Sequence, residues 1–167
     1  MLLLISDANI LIDIEIGGLI APMFSLGYEI GVPDVLFQEE LDAQHGYLTG
    51  HGLAVMTLDS TAVARVAELA NKHRRTSRND LFALVLAERA ECSLLSGDAA
   101  LRRAAEAEGV PVHGTLWLVE EMIRQKKITF QVARGAYAQM QQQGRRLPWY
   151  SAEQRLRVIE LAEPGMQ

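Results

Sequence analysis

The chain has 167 residues, about half of them hydrophobic and 22% charged, which is the size and composition of one ordinary globular domain. One cysteine, Cys92, excludes an internal disulfide framework and a C-x-x-C metal or redox site, so it reads as a small buried thiol in a reducing cytoplasm. The net charge of −5 hides an asymmetry: all 16 Lys and Arg lie at or after Arg65, whereas nine of the 21 acids precede it. The later part of the chain is therefore net positive and can present a basic face to a polyanion.

The amino-terminal "MLLLISDANILIDIEIGGLI" is apolar but has no basic flank, and Asp7, Asp13 and Glu15 interrupt it. It reads as core, and with no uncharged apolar run of spanning length the chain is expected to be soluble, without a membrane partner. "LLLIS" (2–6) is a continuous apolar run ending at Asp7, the pattern of a strand buried on both faces. "ANILIDIEIGG" is a helix closed by glycines, and a second helix covers about 18–26. "YEIGVP" is a strand stopped by Pro33, "DVLFQEELDAQ" a helix, "HGYLTGHG" a loop, and "LAVMTL" a strand.

"DSTAVARVAELANKH" restores a 3.6-residue apolar period. A helix over about 78–90 and the strand "CSLLS" follow, then the helix "DAALRRAAEAEG", the short strand "VPVHG" and the helix "TLWLVEEMIRQKK". The last 40 residues show two helices joined by "GRRLPW" and no strand. Alternating short strands and helices predict an α/β fold, a three-layer α/β/α sandwich around a mostly parallel sheet. The α/β domain is expected over 1–127, with 128–167 a helical extension packed on it. For those last helices three roles are open: a homodimer surface, a seat for an inhibitory protein, or a cover for the sheet.

In such folds ligands sit at the carboxyl ends of the strands, near the reversal in strand order. Asp7 and Asp98 each follow a strand directly, Asp80 opens the helix leading into "CSLLS", and Glu39 or Glu40 lies in the helix after the second strand. Each also has a purely structural explanation. Asp7 and Asp98 can cap the helices that follow, and Ser77-x-x-Asp80 resembles a capping box. Capping alone does not require all of them to meet at one edge. Converging carboxylates need a cation between them, and oxygen ligands suit Mg²⁺ or Mn²⁺, which would make the chain a phosphodiesterase. The run "KHRRTSR" sets Lys72, His73, Arg74, Arg75 and Arg78 beside Asp80 as a phosphate grip, and "GRRLPWY" adds Arg145, Arg146 and Trp149. A P-loop is absent, and His45, His51, His73 and His113 show no metal-ligand spacing.

Four stretches in order, "ISDANILIDI", "VPDVLFQEEL", "SRNDLFALVLAER" and "LLSGDAALRRAAEAEGV", resemble PIN-domain nucleases over about residues 1–125. That resemblance implies Mg²⁺ or Mn²⁺ dependence and cleavage of single-stranded RNA, frequently as the toxin of a bacterial toxin and antitoxin pair. It makes Asp7, a helical Glu, Asp80 and Asp98 the metal-site acids, with Asn9 and Ser96 in support and Ser77 and Asn79 beside Asp80. The family has one Glu before an apolar residue. A buried Phe37/Leu41 stripe selects Glu40, whereas counting from Pro33 selects Glu39. The alternative is a related module that binds nucleic acid or protein without chemistry. A phosphatase using Asp7 as nucleophile would want an acid at position 9, where Asn9 stands.

Overall fold

A computed structural model describes residues 1–163; the last four residues of the expected extension, 164–167, lie outside the described residues. Five strands, β1 (Leu2–Ser6), β2 (Tyr28–Pro33), β3 (Ala54–Met56), β4 (Ser93–Leu95) and β5 (Val112–His113), form one sheet in the order β3-β2-β1-β4-β5. Every pairing is parallel. Parallel strands covered on both faces are buried on both, which is why Leu4 and Ile5 of β1, Ile30 and Val32 of β2 and Leu94 and Leu95 of β4 are all in the core.

One face carries α3 (Asp34–Leu36), α5 (Ser60–Lys72), α6 (Arg78–Ala90) and α7 (Ala99–Ala107), with α6 lying across β1, β2 and β4. Seven consecutive residues of α6, Leu81 to Ala87, are buried, so it is the central helix of its layer. The other face carries α1 (Ala8–Ile16), α2 (Ile20–Phe24) and α8 (Thr115–Arg124). Helices α9 (Phe130–Gln142) and α10 (Trp149–Ala162) continue that layer: α9 packs on α1 and α8, and α10 on α9. The result is the α/β/α sandwich that the alternating pattern predicts. Gly17, at the end of α1, lets α9 approach, since a Cβ there would stand 2.7 Å from the Met140 methyl and 3.1 Å from Ala136 Cβ.

The segment "DVLFQEELDAQ" departs from a plain helix. Between α3 and α4 (Asp42–His45) the chain widens into a π-helical turn, Phe37–Leu41, where the Asp42 N–H reaches back five residues to the Phe37 carbonyl. Cys92 is half-buried beside β4, and burial pushes its thiol pKa up. Among the described residues no helix is long and apolar enough to cross a membrane.

The strand order reverses between β1 and β4. The chain leaves these two strands at Asp7 and at Ser96–Asp98, so the crevice that this topology opens for ligands is flanked by the acids that end them.

Candidate active site

Asp7 is the floor of that crevice. It is 1% exposed. Its Oδ1 accepts the Ile10 N–H at 3.0 Å, capping α1, while Oδ2 accepts the Ser96 hydroxyl at 2.6 Å. The Ser96 oxygen accepts in turn from the Asp98 N–H at 3.1 Å, tying the ends of β1 and β4 together. Burial raises the Asp7 pKa to about 7; the Ser96 and Ile10 hydrogen bonds pull it down, and the charges of Asp80 and Asp13 push it up.

Asp98 caps α7, its Oδ2 accepting the Leu101 N–H at 2.8 Å, and its residue is exposed at the crevice mouth. Asp80 stands in the first turn of α6, whose cap is Ser77: the Asp80 N–H reaches the Ser77 hydroxyl at 3.2 Å. Burial raises the Asp80 carboxyl to about 6, the Ser77 hydroxyl lowers it, and the charges of Asp98 and Glu40 raise it. Capping and convergence therefore coexist: Asp80 shares its helix terminus with Ser77 and still feels the charges across the crevice.

The π-helical turn brings two adjacent glutamates to one amide. Asn79 Nδ2 donates to Glu39 Oε2 at 2.8 Å and to Glu40 Oε2 at 2.9 Å. Widened turns of this kind recur at functional sites, because they re-aim side chains that an α-helix would spread. Of the two, it is Glu40 whose charge acts on Asp80.

Among the described residues, no ion pair reaches Asp7, Glu39, Glu40, Asp80 or Asp98, although most other acids of the chain are paired. No group of three or more His, Cys, Asp and Glu side chains among the described residues stands close enough together to hold a metal ion. The Asp80 charge acts on Asp7, and the charges of Asp98 and Glu40 act on Asp80, without a closed cage of acids among the described residues. The donors at the crevice are carboxylate oxygens, the ligand type that Mg²⁺ takes, one or two directly with waters completing its shell.

Two features of the site were not foreseen from the sequence. Asp13, 7% exposed, receives Arg145 Nε on Oδ1 at 2.6 Å and the Thr115 hydroxyl on Oδ2 at 2.8 Å. Arg145 Nη2 also donates to Asn9 Oδ1 at 3.2 Å, so the Asn9 side chain is engaged by Arg145. Arg145 is set there by the end of α9: Gly144, at φ 77°, donates to the Gln141 carbonyl, and the Arg145 N–H returns to Met140. That glycine-terminated cap aims the following residue back across the helix end.

The basic run divides. Lys72 Nζ and His73 Nε2 both bond Glu108, at 2.7 and 2.8 Å, and these partners hold the Glu108 carboxyl down at about 2. Arg78 lies over the Phe82 ring, 5.2 Å from its centroid. Arg74 and Arg75 have no carboxylate partner among the described residues and, with Arg103, line a recess of about 420 Å³ against α7. Trp149 packs edge-on against Tyr137 and donates Nε1–H to the Arg145 carbonyl at 3.2 Å.

The sequence profile of the PIN-domain family matches residues 3–163, helices α9 and α10 included. No curated protein matches the chain. With the profile spanning the sheet, both helical layers and the acids at the reversal of strand order, the chain belongs to the PIN-domain family, whose fold is that of nucleases.

Proposed function

We propose that the protein is a divalent-metal-dependent endoribonuclease acting on single-stranded RNA. The observation that carries this reading is a set of carboxylates at the reversal of strand order, Asp7, Glu40, Asp80 and Asp98, that meet no ion-pair partner among the described residues, with the Asp80 charge raising the Asp7 pKa and the charges of Asp98 and Glu40 raising that of Asp80. Desolvated acids without a basic partner are unfavourable for folding, which makes an ion-binding role the physical account of their placement. When bound there, Mg²⁺ or Mn²⁺ supplies Lewis acidity to the scissile phosphate and to the attacking water.

The chain's own residues do the rest. Asp7 is held in one orientation by Ile10 and Ser96, and Asn79 steadies Glu40, so the ligand oxygens are aimed before an ion arrives. Asp98 and Glu40, exposed at the mouth, can accept protons from water at the phosphate. Arg74 and Arg75, which meet no carboxylate among the described residues, can hold backbone phosphates, and Arg78 extends that rim. Attack by water breaks the bond from phosphorus to the 3′ oxygen, which takes up a proton and leaves a 3′-hydroxyl and a 5′-phosphate. A cognate antitoxin protein as partner belongs to the same reading.

The test is cleavage of a mixed RNA pool with mapped ends, run beside Asp80→Asn. The expected result is metal-dependent cutting with 5′-phosphate ends that Asp80→Asn abolishes. Ends bearing 2′,3′-cyclic phosphate overturn the mechanism, and a wild-type protein without cutting favours a binding module.

A further inference from the structure

A second recess of about 420 Å³ opens beside Gly97, the chain neighbour of Asp98, between α7, the end of β5 and the chain that joins α9 to α10. It shares none of its lining residues with the Arg74/Arg75 recess. Its volume lies within the roughly 300–1,000 Å³ of small-ligand sites.

Three guanidinium groups line it, from Arg102, Arg146 and Arg155. Arg155 is committed: its Nε and Nη2 both reach the buried Glu120 carboxylate at 2.7 Å. Arg102 donates Nη1 to the Ser96 carbonyl at 2.8 Å and meets no carboxylate among the described residues. Arg146 is exposed, with neither a hydrogen bond nor an ion pair among the described residues. Gly114 leaves room for the first of these, since a Cβ there would stand 3.3 Å from Arg102 Nη1.

His113 and Trp117 also line the recess, stacked with ring centroids 4.1 Å apart and planes 14° from parallel. Burial and the Arg102 charge lower the His113 pKa, so at neutral pH the pair is an uncharged aromatic surface. Two uncompensated cations beside a flat aromatic pair, next to Asp98, match the phosphate and base of one nucleotide. An acidic peptide would satisfy the arginines and leave the aromatic surface without a counterpart.

We propose that this recess is a nucleotide subsite, in which Arg102 and Arg146 hold a phosphate of single-stranded RNA while its base lies against His113 and Trp117, next to the scissile position. This assignment rests on the nuclease reading. It gives the segment after α9 a role in binding substrate.

The test is fluorescence anisotropy of a labelled single-stranded RNA ten-mer with the full chain in EDTA, where nothing is cut, over a series of NaCl concentrations. Arg146→Ala should weaken binding on the order of tenfold and reduce the slope of log affinity against log salt by about one. Arg146→Lys should restore the slope, because the charge returns, and His113→Ala should lower affinity at every salt concentration without changing the slope. Arg146 is exposed and makes no hydrogen bond or ion pair among the described residues, so its replacement breaks no polar contact of the fold, and circular dichroism of the variant checks that it is folded. Unchanged affinity and slope in Arg146→Ala, while the wild type cuts RNA in Mn²⁺, overturn the subsite and leave the nuclease reading standing. Arg146-dependent binding of poly-glutamate as tight as that of RNA overturns it in favour of an acidic protein. Binding of a free nucleoside monophosphate as tight as the ten-mer overturns the assignment to a polymer. A wild type that neither binds nor cuts RNA removes the nuclease reading and the subsite together.

Discussion

Ser96 donates its hydroxyl to Asp7 Oδ2 at 2.6 Å and accepts the Asp98 N–H at 3.1 Å, so one side chain joins the two acids that end neighbouring strands. A buried carboxylate stripped of its donor loses more than an average hydrogen bond. Ser96→Ala should therefore destabilise the protein by about 1–3 kcal/mol at neutral pH and less near pH 5, where Asp7 is protonated in either protein. Urea unfolding at the two pH values reads both effects. The same variant should bind Mn²⁺ at least about tenfold more weakly, as loss of an orienting partner does.

The pH dependence of the metal-free protein follows from Asp7 and Asp80, whose pKa values are raised to about 7 and about 6. Above the unfolded value near 4 the unfolded chain releases these protons while the folded chain retains them, so the folded state binds more protons and stability falls with rising pH. The loss spans about pH 4 to 7 and is of order a few kcal/mol for the buried Asp7. Asp7→Asn should flatten this decline. Added Mn²⁺ should reverse it and release protons, seen as a buffer-dependent heat in titration calorimetry. Below about pH 4.5 the lowered Glu108 pKa works with the opposite sign, since its ion pairs to Lys72 and Arg65 are lost as it protonates.

Arg145 reaches Asn9, two residues from Asp7, but its ion pair is with Asp13. Arg145→Ala leaves Asp13 buried with Thr115 as its remaining donor and should cost about 2–4 kcal/mol in denaturant unfolding, somewhat below a fully buried pair because Arg145 is partly exposed. Asp13→Asn combined with Arg145→Gln should cost less than the two single changes summed. Additive losses would show that the two residues do not act as a pair.

The two glutamates on the π-helical turn should separate in kinetics. Glu40→Gln should lower kcat about a hundredfold or more, as loss of a group acting on the reacting centre does, whereas Glu39→Gln should leave it within about tenfold. The reverse order would assign the role to Glu39. Asn79→Ala, which frees both carboxylates, should fall between the two.

What the sequence discloses and what it conceals follow from the range of the interactions. Asp7 and Asp98 are legible because a strand buried on both faces reads as an uninterrupted apolar run, and the first acid after it marks the strand's carboxyl end. The pair Asp13 and Arg145 is 132 residues apart in the chain and exists because α9 packs on α1, so no local pattern announces it. Its one local trace is an acid within the apolar stretch of α1, "LIDIEI". Lys72 and His73 look like part of a phosphate grip because Glu108, which binds both, is brought to them by tertiary packing. The π-helical turn leaves no periodic signature, being one extra residue in a short helix, and without it the choice between Glu39 and Glu40 rests on counting alone. Capping does not exhaust Asp7 and Asp98: each carboxylate commits one oxygen to its helix and keeps further lone pairs for the crevice.

The measurement that bears most directly on the central claim is the Mn²⁺ dependence of cleavage of a single-stranded RNA by the wild type and by Asp7→Asn, each shown folded by circular dichroism. The wild type should cut with saturable dependence on Mn²⁺, and Asp7→Asn should lose at least about a hundredfold in rate at every Mn²⁺ concentration. Cutting by wild type in EDTA, or an Asp7→Asn variant that keeps the wild-type rate, would contradict the assignment of these carboxylates to a metal-dependent nuclease site.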